Sequence, residues 1–391
     1  MRRLRTMDDI PLDGKRVLVR ADFNVSSGPD GKIHDDEDYR LEAAIETIQE
    51  LRRRRCKVII LPRRGRPEED PEGADITPVW HRLQDLLRED IQLIHHLYGE
   101  PVEAAVQGME QGSMLMLSNV REDPREKKEN KKFAEQLAAV ADVYVSESFS
   151  EVHRARTSLS LVPTLLPSCA GRRTVLEVEM LSRLSANAKR PYVAIVSGSK
   201  VTTKVALLQR LLTQVDTLCL GGKIANVFLA ASGHWKDGND QAEIEAAKQI
   251  MQEAGPKLLL PIDVIIGNDD GTDVREVSIQ EIPEGTKAIW DIGHKSTQGI
   301  IKVCETAQTI MWNGPVGRFE VDAYGLATKA ISQALAELSS YRLVGGGDTV
   351  NALEKYRLTK KYDHVSVGGG AMVAFLEGKV MPGLEPLYTD G

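Results

Sequence analysis

Cysteine is scarce. The chain has four in 391 residues (Cys56, Cys169, Cys219 and Cys304), far apart and mostly in apolar surroundings. With no Cys-x-x-Cys pair, neither a zinc site nor a disulfide framework is indicated, and a reducing compartment is favoured. Long apolar runs are absent too. The longest, such as LLLPIDVII, is far too short to span a bilayer. The opening MRRLRTMDDI is basic but has no apolar core, so it does not read as a secretory signal. Excess positive charge is missing: the formal net charge is −7, which gives no general attraction to nucleic acid or an anionic membrane. There is no short-period repeat and no low-complexity segment. What remains is an ordinary globular composition, 42% apolar and 27% charged, long enough for two or three domains and expected in the cytoplasm.

The order along the chain is strand, helix, strand. RVLVRADFNV (16–25) is a buried-strand run ending in Asp22 and Asn24. LEAAIETIQELRRR follows with helical period through Leu41, Ile45, Ile48 and Leu51. KVIILPRRGRP (57–67) runs as a strand into three arginines. SMLMLSNVRED (113–123) ends in Arg121, and DVYVSESF (142–149) leads to HRARTS. LVPTLLPSCAG (161–171), with two prolines and a glycine, reads as the passage to a second domain, followed by a charged helix at 174–188. Further strands are expected at 192–198, 217–222, 257–266, 288–293, 309–315, 342–347 and 364–370, nearly all ending in glycines. Such alternation predicts parallel, doubly wound sheets whose ligands bind at the carboxyl ends of the strands.

Two kinds of strand end emerge. The first half supplies Asp22, Asn24, Arg40, Arg63, Arg64, Arg66, Arg121, Arg154 and Arg156. Guanidinium forks match phosphate and carboxylate geometry, so these arginines predict an anion site. Arg52 to Arg55 are different: they sit at a helix C-terminus, where cations are favoured, and read as surface. The second half supplies RLVGGGDTV (342–350), a strand ending in glycines that open a helix. Glycine lets backbone N–H groups approach an anion, and the helix N-terminus adds partial positive charge. The following Asp348 suits a Mg2+ riding on phosphates. GGGDT is not a Walker A motif, since no Gly-Lys-Ser/Thr follows. SGSKVTTK places Lys200 and Lys204 four apart, which suits a phosphoryl group in transfer. Gly221, Gly222 and WNGPVGRFE (312–320) add close-approach glycines, an amide and an acid. Taken singly, KxxxK, WNGP and the glycine groups read equally well as surface lysines and turns. Two halves with different strand-end chemistry suggest two ligands meeting across a cleft.

These words in this order (VLVRADFNV, DDEDYR, RGRP, HRA at 153–155, GSKV with Lys204, LLLPIDV, WNGPVGRFE, VGGGDTV, GGGA) resemble the phosphoglycerate kinase family over nearly the whole chain. The resemblance implies two Rossmann-like lobes, each a mainly parallel sheet covered by helices on both faces, joined by a hinge. Its lobes would span 1–170 for the acid, 171–189 for the linking helix and 190–370 for the nucleotide, with a tail at 371–391 returning to the first lobe. It implies reversible phosphoryl transfer between 1,3-bisphosphoglycerate and Mg-ADP. Asp22, Asn24, Arg40, Arg63, Arg66, Arg121 and Arg154 would hold 3-phosphoglycerate. Arg40, Lys200 and Lys204 would act on the transferred group and the nucleotide phosphates. Gly221, Gly222, Asn313, Pro315 and Glu320 would line the nucleoside pocket, and Gly346, Gly347, Asp348 and Thr349 would take phosphates and Mg2+. The expected partners are small molecules alone, with no nucleic acid or membrane, and the chain is expected to be a monomer. Ligands on separate lobes must be brought together, so closure belongs to catalysis.

The departures from the family pattern are concentrated. Ser-His-Leu-Gly-Arg-Pro is here Pro62-Arg63-Arg64-Gly65-Arg66-Pro67, and His-Arg-Ala-His is His153-Arg154-Ala155-Arg156. Asn-Asp-Ala-Phe-Gly is Ser146-Glu147-Ser148-Phe149-Ser150. Phe-Leu-Met near the hinge is Arg172-Arg173-Thr174. Gly-Gly-Ala-Lys is Ser197-Gly198-Ser199-Lys200, and Thr203 replaces an acid. Two histidines turned to arginine change pocket volume and charge. Beside a phosphoglycerate kinase that tolerates them stand two alternatives: a kinase for a different anionic acid, and a low-activity or inactive relative that binds nucleotide or anion.

Overall fold

Val17, Leu18 and Val19 are consecutive and all fully buried. A strand with one wet face would alternate, so this run needs cover on both faces, which is what a parallel α/β sheet supplies. The computed structural model describes residues 2–186, 188–198, 201–202, 204–235 and 240–389. The chain divides into two units, Met1–Glu179 with Lys379–Gly391, and Met180–Gly378.

The first unit holds a six-stranded parallel sheet. Its strand order is Gln92–Leu93, Met114–Met116, Lys57–Arg63, Arg16–Asp22, Val143–Glu147 and Ser168–Ala170. The helix Asp38–Arg53 buries Leu41, Ala44, Ile48 and Leu51 against it. Arg52 and Arg53 lie in its last turn, Arg52 paired with Glu89. Tyr388–Thr389 pairs antiparallel with Arg3–Leu4, which ties the last strand to the first.

The second unit repeats the design. Leu258–Leu259, Thr217–Leu220, Tyr192–Val196, Thr309–Asn313, Tyr341–Gly345 and His364–Ser366 form a second six-stranded parallel sheet. Ile310 and Trp312 pack with Ala327, Ile331 and Leu335 of the helix Leu326–Ala336. Among the described residues no helix is long and apolar enough to cross a membrane.

Several expected elements come out differently. The run 257–266 is two strands, not one. Leu258–Leu259 lies in the parallel sheet, and Asp263–Ile266 is the centre of an antiparallel sheet with Arg275–Ser278 and Ile289–Ile292. Pro261 stands between them and has no N–H for a ladder. The 288–293 strand therefore belongs to this small sheet. The strand from 113 is only Met114–Met116, because the Asn119 side chain accepts from the N–H of Arg121 and turns the chain into a 3-10 turn. The segment 161–171 is no interdomain passage: Ser168–Ala170 is the edge strand of the first sheet. The following helix is Arg172–Ala186, and the boundary between units falls within it. In the tail, Gly370–Leu376 is a helix of the second unit, and the chain joins the first unit from Lys379.

Candidate active site

In the first unit the strand ends gather arginines around one carboxylate. Asp22 and Arg63 end neighbouring parallel strands in register, and Arg63 Nη1 donates to Asp22 Oδ1 at 3.1 Å. The Ser150 hydroxyl donates to the other oxygen of Asp22. Glu151 closes the 3-10 turn after Val143–Glu147 and is 4% exposed. Its Oε1 accepts from Arg121 Nη2 at 3.0 Å and lies 3.9 Å from Arg154 Nη1. Its Oε2 lies 3.5 Å from both Arg63 Nε and Arg20 Nη2. Burial pushes the Glu151 carboxyl up, but Arg63, Arg20, Arg121 and Arg154 together hold it down at about 2.

The guanidiniums keep donors in hand. The Nε atoms of Arg63, Arg121 and Arg156 are buried and make no hydrogen bond. Burial lowers the Arg121 pKa; Glu151 opposes the shift, and Arg63 and Arg156 add to it. Arg40 joins from the helix Asp38–Arg53. Burial disfavours its charge, yet Tyr39, Asp22 and Glu37 outweigh burial and its pKa is raised. Its Nε donates to the Tyr39 hydroxyl at 2.8 Å. Buried N–H donors without partners are rare and point to a ligand that completes them.

Not every expected residue enters this cluster. Arg66 is exposed and pairs with Glu69 three residues on. Asn24 accepts the N–H of Gly65 at 2.9 Å, so it shapes the turn after the strand. Arg64 is fully buried and serves as a strut: Nε donates to the Val25 carbonyl at 3.1 Å and Nη2 to the Ser27 hydroxyl at 2.6 Å. The sequence reading missed Arg20, Ser150 and Glu151. Arg20 had a visible signal, a charge inside a buried apolar strand. It is fully buried, donating to the hydroxyls of Ser148 and Ser158 at 2.9 Å each.

In the second unit the strand ends offer backbone. The helix Gly222–Ala231 follows Thr217–Leu220, and the helix Gly347–Lys355 follows Tyr341–Gly345. Gly346 has φ +101°, and a Cβ there would lie 2.8 Å from Asn313 Nδ2. A Cβ on Gly221 would lie 2.7 Å from Val316 Cγ1. These positions need glycine, and the helix N-terminal amides they expose suit phosphate. Lys204 Nζ donates to Asn313 Oδ1. Burial lowers the Lys204 pKa, with Glu377 opposing. Asn313 Nδ2 donates to the Gly345 carbonyl at 2.9 Å, and the Ser197 hydroxyl donates to the Pro315 carbonyl at 2.6 Å.

Thr349 is fully buried; its hydroxyl accepts from Gly314 N at 2.7 Å and donates to the Gly345 carbonyl at 3.1 Å. Asp348 and Gly347 are exposed in the first helical turn, and Glu320 is exposed after the Pro315 turn. Lys200, with its neighbour Ser199, lies outside the described residues, as does Thr203. No group of three or more His, Cys, Asp or Glu side chains that could hold a metal occurs among the described residues. A single exposed carboxylate at a phosphate-type cradle still fits a Mg2+ that keeps waters and takes its remaining ligands from phosphate.

Known proteins resemble this chain over nearly its whole length. A family model described as phosphoglycerate kinase matches residues 7–379. The chain is 40% identical to a phosphoglycerate kinase of Pelotomaculum thermopropionicum, covering 98% of each chain. It is 38% identical to that of Moorella thermoacetica, again over 98% of each. Among solved structures, phosphoglycerate kinase from Coxiella burnetii superposes with TM-score 0.86 at 35% identity, covering 98% of this chain and 99% of that one. The Pyrococcus horikoshii enzyme gives TM-score 0.87 at 26% identity, covering 98% of both.

Proposed function

This chain belongs to the phosphoglycerate kinase family, and we propose that it transfers a phosphoryl group reversibly between the acyl phosphate of 1,3-bisphosphoglycerate and Mg-ADP, giving 3-phosphoglycerate and ATP. The observation that carries this reading is the cluster of Arg63, Arg121 and Arg156, in which the buried Nε donors of Arg121 and Arg156 make no hydrogen bond. An acid bearing a phosphate and a carboxylate supplies the acceptors they lack.

Residues 1–170 would hold the acid through Arg63, Arg121 and Arg154, with Asp22 and Asn24 fixing the strand ends. Residues 190–370 would hold the nucleotide, with the helix Arg172–Ala186 linking the two and the chain returning to the first unit from Lys379. Gly221, Gly222, Asn313, Pro315 and Glu320 would border the nucleoside. Gly346 and Gly347 would present amides to phosphate, and Thr349 would brace that turn. Asp348 would hold Mg2+, which supplies charge neutralisation along the phosphates when bound. Arg40, Lys204 and Lys200 would meet the negative charge on the transferred group. No general base is needed, because a carboxylate is already nucleophilic at neutral pH. The chain would work as a cytoplasmic monomer on small molecules; the four cysteines are free and buried, which suits a reducing compartment.

The structure favours the ordinary acid over a more anionic one. The charge that Arg63 brings is met by Asp22 and Glu151, so it is not free charge awaiting a larger anion. A steady-state assay with Mg-ATP and 3-phosphoglycerate, coupled to acyl-phosphate reduction, tests the assignment. Robust turnover that is lost in Lys200→Ala and Lys204→Ala is expected. No turnover, with Mg-ATP still binding by calorimetry, would overturn it in favour of a binding protein. Activity appearing only in Arg63→His would point to a different acid.

A further inference from the structure

Glu151 is a carboxylate in the place where an anion site collects its cations. Both of its oxygens face guanidiniums: Arg121 at 3.0 Å, Arg63 and Arg20 at 3.5 Å each, and Arg154 at 3.9 Å. Arg20 is partly claimed elsewhere, since Glu126 Oε1 lies 3.9 Å from its Nη2 and both share Ser158. Arg63 is partly claimed by Asp22. Arg121 and Arg154 both turn to Glu151. The carboxylate therefore cancels part of the charge that an incoming anion would feel, pairing with Arg63 through Nε but with Arg121 through Nη2, so that the Arg121 Nε stays without a hydrogen bond.

We propose that Glu151 is a specificity-determining positioning residue of the acid pocket: its fixed negative charge orients Arg63 and Arg121 and limits how anionic a ligand the pocket prefers. This inference rests on the acid-pocket reading above. A carboxylate held among several guanidiniums keeps their forks aligned before the ligand arrives, which lowers the cost of ordering them. The same charge repels a polyanion through a weakly screened interior, so its effect grows with ligand charge. A residue that merely supported the fold would weaken all anions alike.

The test uses competitive inhibition of the purified full-length enzyme against 3-phosphoglycerate by formate, sulfate and pyrophosphate, which carry increasing negative charge. Glu151→Gln keeps a side-chain carbonyl for Arg121 and removes the charge. Its inhibition constant for pyrophosphate should fall roughly tenfold, sulfate should change less, and formate should move less than about twofold. Adding Arg63→His to Glu151→Gln should return the pyrophosphate constant toward wild type, because cation and anion leave together. If Glu151→Gln does not fold, Arg63→His alone serves: pyrophosphate should then weaken more than formate. A common shift for all three anions, or none, would overturn the proposal while leaving the acid pocket intact. Failure of every anion, and of 3-phosphoglycerate, to bind the wild-type enzyme by calorimetry would instead overturn the acid-pocket reading.

Discussion

The two units place different materials at the carboxyl ends of their parallel strands, where the proposal has each hold anionic oxygens. The first uses long side chains. Arg63, Arg121 and Arg154 come from separate segments and are held in place by Asp22 and Glu151. The second uses backbone. Gly221 and Gly346 clear space at helix starts, and Asn313 and Thr349 brace the loops. Side-chain recognition is selective in charge and shape and needs internal counter-charges. Backbone recognition needs little charge but tolerates no Cβ. The contrast extends to the buried acids. Glu151 sits among guanidiniums and is driven down to about 2. Asp291, 2% exposed, accepts the N–H groups of Ile292 and Ala327, and burial drives it up to about 7.

The largest effect is expected from Arg40→Ala, which removes a cation proposed to meet the transferred group; kcat should fall about 10²–10³-fold, as for loss of a transition-state donor. Stopped-flow or coupled turnover measures it, and an unchanged kcat would place Arg40 outside the reaction. Next comes Arg121→Ala. It should raise KM for 3-phosphoglycerate by roughly ten- to a hundredfold, the worth of a charged hydrogen bond, while calorimetric ADP affinity stays put. Loss of both affinities would erase the division of labour between units.

Gly346→Ala makes the converse cut. Positive φ and the close Asn313 amide predict a cost of about 1–3 kcal/mol in stability, with ADP binding weakened and acid binding spared. A variant with wild-type Tm and ADP affinity would show that the loop does not need glycine. The smallest effect concerns the two buried acids and acts through pH. Glu151 is depressed from an ordinary 4.5, so its contribution is present above that value and lost as pH falls toward about 2. Asp291 is raised from 3.8, so its contribution is full below that value and lost as pH rises through about 7. Asp291→Asn should therefore flatten the decline in Tm on the neutral side, whereas Glu151→Gln should flatten it on the acid side. Parallel Tm–pH curves for both variants would contradict the contrast.

The glycine half was the more legible in sequence. Glycines at strand ends before helical spacing announce their geometry locally, and Gly221, Gly222, Gly346 and Gly347 stand where that signal put them. The arginine half was legible in residue type but not in partnership. Arg63, Arg64 and Arg66 read alike in RRGR, yet Arg63 enters the cluster, Arg64 is a buried strut and Arg66 stays with Glu69. Neighbours on an extended chain point to opposite sides, and only the fold decides which side is the site. Glu151 carried no signal at all. Its meaning comes from Arg20, Arg63 and Arg121, which approach it from 131, 88 and 30 positions away (151 − 20, 151 − 63 and 151 − 121). The split of 257–266 into two sheets was likewise hidden, because an apolar run does not say which sheet it joins; Pro261 was the sole mark of the break.

The most direct measurement is an NMR titration of the arginine Nε–H signals with 3-phosphoglycerate. The cluster geometry predicts saturable shifts for Arg63, Arg121 and Arg156, whose buried Nε donors make no hydrogen bond, and little change for exposed Arg66. Shifts at Arg66 with silence at Arg63 and Arg121 would place the acid elsewhere and contradict the site described for the first unit.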